Sequence, residues 1–196
     1  MRHACLRALA ARALTGVVLT CLTAGLSSSA AAQEVSKWDV FGGYSYMRFD
    51  SRPLGFAGSS NLNGWNAAVA YNFTDALSLA ADASGHYGNS ITAYTYSLVP
   101  QYSYRWERSR AFAQFLIGKA QNTVNIIQPT RTGFEGVGLA LGGGAGFDWD
   151  YNSRYSIRAI QVDYVHSHTF DHTQNDIRVS AGLIVHFGRS HKKRRL

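Results

Sequence analysis

Ile177-Arg178-Val179-Ser180-Ala181-Gly182-Leu183-Ile184-Val185-His186-Phe187 is apolar at every odd position and, Ile184 apart, polar or small at every even one. Side chains on a β-strand point alternately to opposite faces, so this stretch predicts a strand with one apolar face and one wetter face. Seven further segments of this kind precede it, near 37–49, 63–73, 77–87, 92–104, 111–120, 135–147 and 155–166, with the last near 175–187. Each is long enough for the ~9–11 residues of a tilted strand that crosses a bilayer.

The phase of each segment assigns its faces. Trp65, Ala67, Val69, Tyr71 and Phe73 alternate with Asn66, Ala68, Ala70 and Asn72. Leu77, Leu79, Ala81 and Ala83 oppose Ser78, Ala80, Asp82 and Ser84. In the fourth segment Tyr94, Tyr96, Leu98, Pro100, Tyr102 and Tyr104 share a face, and Pro100 predicts a bulge because it removes a ladder hydrogen bond. The fifth can be read in either phase. Placing Ala113, Phe115 and Ile117 outside hides Gln114. In the sixth, Val137, Leu139, Leu141, Ala145 and Phe147 point out, and Gly138, Ala140, Gly142, Gly144 and Gly146 leave the inner side open for large neighbours. Ile157 and Ile160 can share a face only if a bulge lies near Arg158.

The two ends differ from the body. Arg2, Arg7 and Arg12, the mostly apolar stretch Leu14 to Leu26, and Ala30-Ala31-Ala32 predict that residues 1–32 are a signal peptide. Both cysteines, Cys5 and Cys21, fall within it, which leaves the remainder without disulfide or thiol chemistry. The aromatic residues all lie after position 32. The net charge of +7 comes from the ends: without the leader and residues 189–196, 11 basic residues face 12 acidic ones. A basic domain for nucleic acid is therefore not indicated. Five like charges in residues 189–196 predict a disordered basic tail.

No apolar run after residue 32 suits a spanning helix, since Val137 to Phe147 carries glycine at five positions. Backbone in hydrocarbon needs every polar group paired, which leaves a closed barrel. The sequence therefore predicts an all-β, eight-stranded antiparallel up-and-down transmembrane β-barrel over residues 33–188. Short links near 74–76, 105–110 and 148–154 would be periplasmic turns; the links near 50–62 and 121–134 are longer, 167–174 is intermediate and 88–91 is short. The competing fold is a lipocalin-like soluble barrel, whose apolar faces would point inward.

Trp38-Asp39-Val40-Phe41-Gly42-Gly43-Tyr44-Ser45-Tyr46, Tyr71-Asn72-Phe73, and Thr173-Gln174-Asn175-Asp176-Ile177-Arg178-Val179-Ser180-Ala181-Gly182 resemble small bacterial outer-membrane β-barrel domain proteins of the OmpA/OmpX type. The resemblance covers about 37–188. It implies a Gram-negative outer-membrane location in a superfamily that includes inert anchors, adhesins, narrow porin-like pores and a few lipid-modifying enzymes. Such barrels commonly end at a terminal aromatic, whereas nine residues follow Phe187 here.

Two groups of residues invite chemistry. Asp82, Arg158, Asp163 and Arg178 are expected to point into the lumen as a polar network, with Lys119 and Glu135 near its outer end. An eight-stranded barrel is just wide enough for side chains to fill, and charges buried there need partners. His166, Ser167, His168, Asp171 and His172 form the second group, suited to Zn²⁺ if the imidazoles converge or to hydrolysis if Ser167 meets a histidine with an acid nearby. Ser167 is one residue from His166 and from His168, so it should face the opposite side of the strand. The expected function is a non-enzymatic structural or surface-interaction role. No cofactor, catalytic residue, metal site or nucleic-acid partner is expected. The partners are outer-membrane lipid and an unidentified surface ligand, and the chain is expected to be a monomer. A lipid-modifying enzyme and a narrow pore are the alternatives.

Overall fold

The computed structural model describes residues 36–50, 58–128, 130–169 and 172–189. The segments read as signal peptide and as basic tail lie outside these, apart from Arg189, which ends the last strand. The strands are β1 Ser36–Asp50, β2 Ser59–Asn72, β3 Leu77–Tyr87, β4 Ile91–Trp106, β5 Ser109–Gln128, β6 Thr130–Asp150, β7 Tyr155–Thr169 and β8 His172–Arg189. Each pairs antiparallel with its neighbour in sequence, and β1 pairs with β8 from Ser36↔Arg189 to Arg48↔Ile177, which closes the barrel. Among the described residues no helix is long and apolar enough to cross a membrane.

The alternation turns out in the sense a lipid bath requires. Tyr44, Leu98, Val137, Leu139 and Leu183 are 58–59% exposed, while Ser45, Asp148, Asp163 and Arg178 are fully buried inside. Aromatic side chains, among them Trp38, Phe73, Trp106, Trp149 and Phe187, stand on the outer face near the end that carries the tight turns. A soluble barrel would have these faces exchanged. β5 takes the phase that puts Phe115 and Ile117 outside and Phe112 and Leu116 inside.

Three expectations about the strands need correction. Residues 121–134 are strand rather than loop: β5 and β6 continue as a ladder to Gln128↔Thr130. There is no bulge at Pro100. The proline is exposed and in register with Leu79, and the β4–β5 ladder keeps one register from Leu98↔Ile117 to Gln101↔Gln114, passing over Val99 and Pro100. Proline's missing N–H interrupts the ladder there without adding a residue to either strand. Lys119 and Glu135 are on the outer face, where Gln121 Nε2 donates to Glu135 Oε1 at 2.5 Å, so they are not lumen charges.

The bulge on β7 is present. Registers shift between Arg158 and Gln161 against β8, and between Phe147 and Asp148 against β7's other neighbour, β6. Ile157 and Ile160 are accordingly both exposed, and Arg158 and Gln161, three residues apart, both point inward. A bulge re-aims side chains in this way.

Candidate functional site

The interior of the barrel is the candidate site, and one chain of charged and amide groups runs through it. Arg110 on β5 reaches Asp39 on β1 (Nη1 to Oδ2, 2.9 Å) and Asp148 on β6 (Nε to Oδ2, 2.8 Å). Arg158 on β7 donates from Nε to Asp148 Oδ1 at 2.8 Å and from Nη1 to Gln161 Oε1 at 2.5 Å. Its guanidinium lies 4.4 Å from the ring centres of both Phe41 and Phe112, a cation–π sandwich. Gln161 Nε2 donates to Asp163 Oδ2 at 2.7 Å, which also receives Arg178 Nε at 3.0 Å. Arg178 Nη1 then crosses to β3, donating to Asp82 Oδ1 at 2.9 Å and Ser84 Oγ at 3.0 Å. Asn66 on β2 donates to Asp82 Oδ2 at 2.7 Å, and Ser84 contacts Thr95 on β4 at 2.5 Å.

Asp82, Arg158, Asp163 and Arg178 thus meet in one network that touches every strand. Asp39, Arg110, Asp148 and Gln161 belong to it too and were not singled out in the sequence. Asp39 lies on the inward parity of the first segment and Gln161 follows the β7 bulge, whereas for Arg110 and Asp148 the signal was the strand phase carried past its assumed ends: Arg110 is two residues before Phe112, and Asp148 two after Gly146, each on the inward parity.

The glycines of β6 make room for these groups. A Cβ on Gly144 would sit 2.0 Å from Asp163 Oδ1, and one on Gly146 2.3 Å from Phe112 Cζ. A cavity of about 20 Å³ remains beside Asp82, Gln101, Arg110 and Gln114, space for about one water molecule.

Above this network, toward the end away from the tight turns, the interior changes character. His86 Nε2 and Ser180 Oγ lie 2.8 and 2.9 Å from Ser45 Oγ, and Asn122 Nδ2 donates across to Gln174 Oε1 at 2.8 Å. Met47, Phe49, Leu62, Ile91, Ala93 and Val124 then pack as a buried apolar cluster.

At the turn end, Ser156 Oγ is 2.5 Å from His186 Nε2, and His186 Nδ1 is 2.7 Å from Asp39 Oδ1. The order of groups is that of a hydrolytic triad. Ser156 is fully buried, however, and its Oγ also donates to Asp150 Oδ1 at 2.5 Å. A nucleophile needs a path to substrate, so this contact ties β1, β6, β7 and β8 together at the barrel's end.

The histidine segment divides between faces. His166 and His168 are exposed, with Nδ1 at 2.8 Å from Asn175 Oδ1 and 3.4 Å from Thr173 Oγ1. Ser167, 1% exposed, is on the inner face. His172 opens β8, and its side chain lies outside the described set. Among the described residues no three His, Cys, Asp or Glu side chains gather as a metal cluster.

Comparison with solved structures agrees with this architecture. Neisserial surface protein A is 12% identical, with a TM-score of 0.60, covering 79% of this chain and 100% of its own. Ail, the attachment invasion locus protein of Yersinia pestis, is 16% identical with a TM-score of 0.54, covering 76% and 99%. A second structure of Ail, in complex with the heparin analogue sucrose octasulfate, gives 0.52 at 16% identity over 76% and 99%. These likenesses carry the fold. Comparison with curated protein sequences gives no match. The family model described as outer membrane protein beta-barrel domain matches residues 17–188. The chain therefore belongs to that family of integral outer-membrane barrels.

Proposed function

We propose that this protein is a non-catalytic, monomeric outer-membrane barrel that serves as a rigid platform for surface interaction. In this reading residues 1–32 direct export and are removed. The tight-turn end faces the periplasm, residues 190–196 follow the last strand there as a solvated tail, and the β1–β2, β3–β4, β5–β6 and β7–β8 connections face outward. Short periplasmic turns and longer outer hairpins are the usual arrangement of such barrels. The observation that carries the proposal is the filled interior. The network from Asp39 to Asp82 occupies the lumen, and the groups that resemble catalytic ones are either buried, as Ser156 is, or turned away from each other, as His166 and Ser167 are. That arrangement offers little space for substrate and suits a structural plug.

Mass spectrometry of lipid A from cells with and without the protein tests the absence of catalysis. The expected spectra are identical. A changed acyl pattern that disappears in Ser156→Ala or His168→Ala would overturn the proposal in favour of a lipid-modifying enzyme.

A further inference from the structure

β2 begins at Ser59, but its last partner on β3 is Asn63↔Tyr87, so Ser59–Leu62 rise above the short link 88–90. The step leaves a groove of about 380 Å³ at the hairpin end, lined by Ser60, Asn61, Asn63, Tyr87, Asn89 and Ser90 over the buried Leu62 and Ile91. Its volume is that of a small-molecule site.

The groove's chemistry is narrow. Gly58 to Thr74 and Ala83 to Tyr104 contain no Asp, Glu, Lys or Arg. The lining therefore offers amides, hydroxyls and one aromatic ring, and these are held in place. Asn61 Oδ1 accepts from Tyr46 Oη at 2.8 Å and Asn63 Oδ1 from Tyr44 Oη at 2.5 Å, which leaves both NH₂ groups as donors. The Tyr87 hydroxyl receives Trp65 Nε1 and Tyr94 Oη, each at 3.3 Å, and its ring meets Tyr94 edge to face. Tyr, Ser, Gly and Asn together provide rigid aromatic area and adaptable hydrogen bonding at low entropic cost. Among the described residues Arg48, on β1 in register with Asn61, is engaged by Ser59, donating to its Oγ at 3.1 Å.

We propose that this groove binds an uncharged oligosaccharide, with Tyr87 under a sugar ring and Asn61, Asn63, Asn89 and Ser90 hydrogen-bonding its hydroxyl or acetamido groups. The proposal rests on the surface-interaction reading and gives it a ligand class. A sulfated or phosphorylated glycan is disfavoured, because its anions would find no countercharge in the lining.

The test uses the full barrel in phosphatidylcholine nanodiscs, which avoids sugar-headed detergents, titrated with N,N′-diacetylchitobiose and separately with sucrose octasulfate. Amide and side-chain NMR shifts provide the readout. Chitobiose should bind saturably with a Kd near ~1 mM and shift the Asn61, Asn63 and Asn89 side-chain amides. Asn61→Ala and Tyr87→Ala should each weaken it ~10-fold, the loss of about one good contact. Ser90→Trp should abolish it, and heat-modifiability on gels reports whether each variant is folded. No saturable chitobiose binding, binding indifferent to all three substitutions, or a preference for the octasulfate would each overturn the proposal. None of these outcomes changes the lipid A result, so the platform reading and its ligand fail separately.

Discussion

The two halves of the lumen are closed by different physics. The half nearest the tight turns is filled by ions: Arg110 and Arg158 share Asp148, and Arg178 spans Asp163 and Asp82. The half nearest the hairpins is filled by Met47, Phe49, Leu62, Ile91, Ala93 and Val124. Apolar packing is forgiving about partners, whereas a buried ion is costly unless its counterion is in place. The ionic half therefore specifies which strand faces which across the barrel. The apolar half excludes water from the mouth and asks only for the right volume.

Substitutions in each half should separate these roles. The largest effect is expected for Arg178→Ala, which strands Asp82 and Asp163 inside the barrel. Leaving buried charges uncompensated costs ~3–5 kcal/mol, read as a lowered urea midpoint for unfolding from bilayers. Leu62→Ala should cost ~2–5 kcal/mol through the cavity it leaves. It should also speed hydrogen exchange near Ser45 and His86 while the exchange of Gln161 stays slow. Equal acceleration at both depths would mean that the apolar layer is not a separate seal. Gly144→Ala introduces a Cβ where Asp163 Oδ1 already lies 2.0 Å away, and overpacking of this kind costs ~1–3 kcal/mol. Its unfolding midpoint should fall while that of Gly42→Ala, with open space around it, stays closer to the parent. The smallest effect is expected for Lys119→Gln on the outer face, within ~0.5 kcal/mol. A larger loss would return Lys119 to the lumen network from which the structure excludes it.

Much of this was legible in the sequence because a barrel wall repeats one rule along every strand. Parity alone places Arg178, Asp82 and Asp163 inside, and the clash between Ile157 and Ile160 locates the β7 bulge. The same rule covers Asp39 within the first segment, and it extends to Arg110 and Asp148 once the strands are allowed to run into segments that look like turns. Partner choice is harder to read. Arg178 and Asp82 are 96 residues apart and meet only through the strand stagger, which parity does not encode. The β5–β6 extension was hidden by composition, since Gln121 to Gly133 carries Asn122, Asn125, three threonines, Pro129 and Gly133, residue types that elsewhere signal loops. The groove at the β2–β3 step was invisible for a related reason. It arises from a difference in strand length, and no residue motif marks it.

Planar-bilayer recording of the purified protein tests most directly the claim that the lumen is closed along its length. The parent chain is expected to give no reproducible conductance steps. The double substitution Arg110→Ala with Leu62→Ala, which opens both halves, is expected to give small steps. Regular single-channel steps from the unaltered chain would contradict the account and make the protein a narrow pore.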